Sequence, residues 1–197
     1  RRHRPAPQRG LGLACLALLA CLLVACAAPP RPPGLLGSEQ GSGATALARQ
    51  LQALTEEPNS EALSRRVIFI GAALNGREDV FDNDLHLMDQ ALHRQFGDAY
   101  RSVLLSNVRV FQGERRLPLA TIEHLEDVFE ALAASRRPND RYVIFLDSHG
   151  HPGLMEVEQA ARYASPRLLE YAKVSDWAES LAPQPTLSVL SACFSGS

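Results

Sequence analysis

Tyr142-Val143-Ile144-Phe145-Leu146-Asp147-Ser148-His149-Gly150 is the stretch that decides the fold. Its first five residues are apolar or aromatic without alternation, as a strand buried on both faces requires. The run then breaks into a polar loop that reaches Gly153. Three other runs behave alike: Val67 to Ala73 (VIFIGAA), Ser102 to Val108 (SVLLSNV) and Thr186 to Ala192 (TLSVLSA). Helical patterns lie between them. Leu85, Met88, Leu92 and Phe96 form one stripe behind a cap at Asp82 or Asn83, and Ile122, Leu125, Phe129 and Leu132 form another behind Thr121. Pro166 and Arg167 are expected to open a third helix running to about Leu181. Strands alternating with helices predict one α/β domain over residues 45–197, with a mainly parallel sheet and helices on both faces.

In such sheets the chemistry lies at the carboxyl ends of the strands. The first strand leads into Leu74-Asn75-Gly76-Arg77-Glu78-Asp79, the third into Asp147-Ser148-His149-Gly150, and the fourth into Cys193-Phe194-Ser195-Gly196. A histidine and a cysteine thus leave two strands at the same edge. Neighbouring strands lie about 4.8 Å apart, so adjacency would let both side chains face one cleft. Thiolate and imidazole together are a nucleophilic arrangement: sulfur attacks an acyl carbon and imidazole moves protons. Gly150 lets the backbone approach closely, and the N–H groups of Gly150 and Cys193 are candidate oxyanion donors.

The 197 residues are 46% hydrophobic and 21% charged, a globular composition. The amino terminus differs from the rest. Arg1, Arg2, Arg4 and Arg9 are the only charges in residues 1–25, and leaving them out keeps 16 of the 20 basic residues against 22 acidic ones. A mildly acidic body gives no footprint for a nucleic-acid partner. Leu11 to Ala25 is uncharged and too short for a spanning helix, but it suits the apolar core of a signal peptide. It ends in Leu23-Val24-Ala25-Cys26, which resembles the bacterial lipobox, with Leu18-Leu19-Ala20-Cys21 as a rival match. The resemblance implies a lipoprotein signal peptide over residues 1–25 and a lipid-anchored Cys26. With Ala27 next, it implies an envelope location at the outer membrane, facing the periplasm. Residues 26–44 read as a tether, with an extended proline half and a flexible Gly/Ser half. Removal of Cys15 and Cys21 and lipidation of Cys26 leave Cys193 as the free thiol.

An apolar strand into Ser148-His149-Gly150, then an apolar strand into Ser191-Ala192-Cys193-Phe194-Ser195-Gly196-Ser197, resembles the legumain (asparaginyl endopeptidase) family of cysteine peptidases. The likeness is greatest to its bacterial lipoprotein branch, within a wider group that includes caspases and gingipains, and covers about Val67 to Ser197. It implies a caspase-like three-layer α/β/α fold, peptide-bond hydrolysis, a protein or peptide substrate, and neither metal nor organic cofactor. By position, His149 is the catalytic histidine, Cys193 the nucleophile, and Gly150 with Cys193 the oxyanion hole. In that family the sheet continues beyond the nucleophile strand, and those strands are expected to be missing from this chain.

The chain also departs from the family. Ser148 stands where eukaryotic legumains have Asp, and Ser191 where they carry the Glu of the asparagine-reading pocket. The Asn/Arg/His group expected after the first strand is replaced by Asp79, Phe81 and Asp82. The acidic cluster of Glu78, Asp79 and Asp82 is a solvated helix start, a pocket for a basic substrate residue, or, through Asp79, a partner that orients His149. Asp79, Asp82 and Ser191 are therefore the candidate pocket or orienting residues. His149 and His151 lack a third ligand at metal spacing. His86, Asp89 and His93 share a solvated helix face, and Trp177 and Tyr171 read as packing residues. Two functions follow: an envelope-tethered cysteine endopeptidase, or a catalytically inactive caspase-like lipoprotein that acts as a binding or assembly module.

Overall fold

Val67–Ala73 (β1) is buried along its whole length because protein covers both of its faces. Ile68, Ile70 and Ala72 point into one apolar cluster, and Phe69 and Ala73 into another. The computed structural model describes residues 37–55, 65–108, 117–159 and 165–193. The signal sequence, Cys26, the proline half of the tether and residues 194–197 lie outside them. The chain divides into two units, Arg1–Gly37 and Ser38–Ser197, and the elements below belong to the second apart from the first residue of the first helix.

In order the elements are α1 (Gly37–Thr55), β1, α2 (Asp79–Phe96), β2 (Tyr100–Ser106), α3 (Ile122–Ser135), β3 (Arg141–Asp147), β4 (Gly150–His151), β5 (Leu154–Val157), β6 (Arg167–Glu170), α4 (Tyr171–Ser180) and β7 (Thr186–Ser191). Four strands form a parallel sheet in the order β2-β1-β3-β7, and β4, β5 and β6 form a small antiparallel sheet. Helix α2 covers one face through Phe81 and Leu85. On the other face, α1 brings Leu47 and Leu54, α3 brings Leu125, Val128, Phe129 and Leu132, and α4 brings Val174 and Trp177. The result is the three-layer α/β/α arrangement. Gly71 permits the close packing of α2, since a Cβ there would lie 2.4 Å from Leu85 Cδ1 and 2.7 Å from the Phe69 ring.

Four boundaries differ from the sequence expectation. Helix α1 begins at Gly37, inside the segment read as flexible, because Leu47, Leu51 and Leu54 recur at helical spacing and pack on the sheet. Helix α2 starts at Asp79 rather than behind Asp82, since Phe81 extends the apolar stripe by a turn and Asp79 and Asp82 favour its positive end. Strand β2 runs two residues earlier than expected, with Tyr100 paired to Val67 at the start of β1. The helix expected from Pro166 is the largest change. Arg167–Glu170 pairs antiparallel with β5, and the helix begins only at Tyr171. Thr121 caps α3 as expected, its hydroxyl accepting from the His124 N–H.

The parallel sheet has two contrasting ends. At its amino edge Arg66 and Asp140 form a buried bidentate pair at 2.9 and 2.7 Å, with Arg66 also donating to the Leu54 carbonyl at 3.0 Å. At the carboxyl edge Asn107 donates to the carbonyls of Leu74 and Ala120 and accepts from the Ala120 N–H, tying the loops after β1 and β2 together. The chemistry-bearing loops leave from this second edge.

Candidate active site

Strands β3 and β7 are hydrogen-bonded neighbours, and their last paired residues are Asp147 and Ser191. The Ser148 N–H continues the ladder to the Ser191 carbonyl at 3.1 Å. His149 and Cys193 each follow two residues beyond a partner in that final pair. Side chains two apart on a strand share a face. Phe145 and Val189 pack into the α2-side cluster, so Asp147 and Ser191, the last residues of their strands, belong to that side as well.

The histidine is held from two directions. Its ring meets Phe81 edge-on, with centroids 5.1 Å apart and planes at 87°. Its Nε2 lies 2.9 Å from Glu78 Oε1, and the two side chains are 46% and 54% exposed. With Nε2 engaged there, Nδ1 is the nitrogen left for proton transfer. The loop beneath is fixed by backbone and hydroxyl bonds. Ser148 Oγ donates to the Glu156 carbonyl at 2.6 Å, and the Glu156 N–H donates to the His149 carbonyl at 3.0 Å.

Gly150 binds the two halves of the site together. A Cβ at this position would lie 2.2 Å from the Cys193 carbonyl oxygen, 2.8 Å from Ala192 Cβ and 3.2 Å from the Cys193 nitrogen. No side chain fits between loops that close. The glycine thus serves the contact between this loop and the Cys193 backbone. Cys193 is a free, exposed thiol. Tyr171, at the start of α4, brings its hydroxyl within 3.5 Å of the Cys193 carbonyl oxygen. Burial pushes that phenol's pKa up, and the charge of Cys193 adds to the rise.

The acidic candidates separate. The carboxylate that meets His149 is Glu78, one residue before Asp79; Asp79 sits in the first turn of α2, and Asp82 pairs with His86 at 3.5 Å. Ser191 is half-buried and donates from its hydroxyl to the Asp147 carboxyl. Asp147 itself is 3% exposed, and its Oδ2 has no hydrogen-bond partner. Burial raises its pKa; the Ser191 hydroxyl pulls it down, the Asp84 charge raises it, and the Ser148 N–H lowers it. His151 pairs with Glu156 at 2.8 Å. Among the described residues no group of three His, Cys, Asp or Glu is placed to hold a metal ion, and no helix is long and apolar enough to cross a membrane.

Sequence reasoning passed over Asp147 and set Tyr171 aside as packing. The signal for Asp147 was present: a carboxylate ending an apolar strand, two residues before the histidine. Tyr171 gave none, because its contact depends on where α4 starts. No protein-family model matches the chain, and no curated protein matches it.

Proposed function

We propose that the chain is a cysteine endopeptidase tethered to the bacterial envelope, with Cys193 as nucleophile and His149 as general acid and base. One observation carries the proposal: β3 and β7 are adjacent, and Gly150 packs directly against the Cys193 backbone. His149 and Cys193, 44 positions apart in sequence, thereby leave neighbouring strands at one sheet edge, which supports the pairing that thiol acyl transfer needs.

The Cys193 thiolate attacks the carbonyl carbon of the scissile bond, forming a C–S bond and moving the carbonyl electron pair onto oxygen. The adjacent N–H groups of Gly150 and Cys193 stabilise that oxyanion. Protonated His149 passes its proton to the leaving nitrogen as the C–N bond breaks, leaving a thioester. Neutral His149 then takes a proton from water, the resulting hydroxide adds to the thioester carbon, and collapse expels the thiolate. Glu78 at Nε2 orients the ring. The peptide substrate is the expected partner, and the Cys26 lipid would hold the domain at the outer membrane.

The test is labelling of the full chain in detergent with peptidyl acyloxymethyl ketones, alongside Cys193→Ala and His149→Ala. Labelling that disappears in Cys193→Ala supports the nucleophile. A folded wild-type chain that no probe labels refutes the enzyme and leaves the inactive binding module.

A further inference from the structure

Asp147 is a buried carboxylate with an unused oxygen at the end of β3, paired in register with Ser191 and two residues before His149. We infer that Asp147 and Ser191 form the seat for a cationic side chain, making the enzyme cleave after arginine or lysine. The inference rests on the peptidase function proposed above.

Distance along the strands comes first. Two residues of parallel strand span roughly 6.6 Å, so a side chain whose carbonyl sits at Cys193 must run that far down the face to reach Asp147. Arginine and lysine have such reach; asparagine and aspartate do not. Charge comes second. Leaving a buried carboxylate oxygen without a donor is costly, and a guanidinium or ammonium supplies charge-assisted donors. Asp84, exposed on α2, acts on Asp147 through its negative charge. A cation at Asp147 is attracted by both carboxylates, whereas an acidic substrate residue is repelled by them.

Access comes third. Among the described residues, helix α2 packs over β2, β1 and β3 and leaves β7 uncovered on the same side: Leu187 is 59% exposed and Ser191 half-buried. A substrate side chain enters over β7 and passes the Ser191 hydroxyl, which already points at Asp147. The family's glutamate at position 191 would crowd this path; serine leaves it clear. The basic preference expected from Glu78, Asp79 and Asp82 thus moves to a different carboxylate, since Glu78 is committed to His149 and Asp82 to His86.

The experiment compares acyloxymethyl ketones carrying Arg, Lys, citrulline, Asn or Asp at the reactive end, citrulline being the uncharged shape-mate of arginine. On the full chain in detergent, Arg should label at least about 30-fold faster than citrulline, as loss of a buried charged partner implies. In Asp147→Asn that ratio should fall to within about threefold of one, a comparison that a general loss of folded protein does not move. An undiminished ratio in Asp147→Asn, or a wild type that prefers Asn, Asp or citrulline, overturns the inference. Benzamidine binding to Cys193→Ala, read by thermal shift, keeps it separate from the chemistry. Stabilisation by benzamidine that Asp147→Asn abolishes supports the cation seat even if no probe labels, in which case the peptidase proposal alone fails. Neither labelling nor stabilisation refutes both.

Discussion

Replacing Gly150 with alanine tests the closeness of the two catalytic loops. The added Cβ would sit 2.2 Å from the Cys193 carbonyl oxygen, where ordinary contact begins at 3.4 Å, a shortfall of about 1.2 Å. The obstacle is backbone, so no side chain can swing aside. The loop after β3 must move from the loop after β7 by roughly an ångström. Overpacking of this kind costs about 1–3 kcal/mol. For a chain of this size that is a fall in Tm of about 2–10 °C. Misplacement of reacting groups by about 1 Å costs on the order of 100-fold in rate. Alanine keeps its N–H, so the number of oxyanion donors is unchanged and the loss reports geometry. Gly153→Ala is the control: it strains a turn residue at φ 75°, yet its Cβ meets nothing within 4 Å. Labelling rates and thermal unfolding of both variants give the answer. A folded Gly150→Ala chain that labels within about threefold of wild type refutes the close approach of the loops.

Three other outcomes are expected. Glu78→Gln removes the charge beside His149; both groups are about half exposed, so the labelling rate should fall by no more than about fivefold, and added salt should slow the wild type but not the variant. Asp140→Ala strands the buried Arg66 charge and should cost about 3–5 kcal/mol in urea unfolding, most of it recovered in Arg66→Met/Asp140→Leu; a loss under about 1 kcal/mol would contradict the buried pair. Asp147 has a folded-state pKa above its ordinary 3.8, so the native state holds this proton more tightly than the unfolded state does. Its contribution is therefore most favourable below pH 3.8 and is lost as pH rises through the folded value. Asp147→Asn should be more stable than wild type at neutral pH, with the gap closing as pH is lowered; a gap that widens toward acid would contradict the raised pKa.

The strands were legible because a strand buried on both faces leaves an unbroken apolar run, and β1 and β3 show it plainly. The helix caps were partly legible. Thr121 supplies the oxygen its position needs, whereas α2 begins after Glu78 without a side-chain cap bond, so that only Phe81 and the acidic first turn marked its start. The small antiparallel sheet escaped because two- to four-residue strands are too short to set a period, and only the Pro152-Gly153 turn announced it. At the site, His149 and Cys193 could be named from their loops, since loop chemistry is local. Their meeting was conditional on strand order, which no residue encodes alone. Glu78, Asp147 and Tyr171 acquire their contacts from topology: one opens a helix that crosses the sheet, one ends a strand, and one begins a helix after a paired strand.

Strand β7 has one hydrogen-bonded neighbour among the described residues, whereas β1 has two. Among those residues, the strand that leads to Cys193 is the less firmly tied of the two. Peeling β7 from β3 breaks one ladder and separates Cys193 from His149, while β1, its two neighbours and the clusters on both faces stay in place. Competence and foldedness therefore have separate thresholds. On warming, the thiol should lose its partner before the core melts, with amide exchange in β7 running ahead of that in β1. A contact that holds β7 against β3 would then keep Cys193 beside Gly150 without touching the side chain of either.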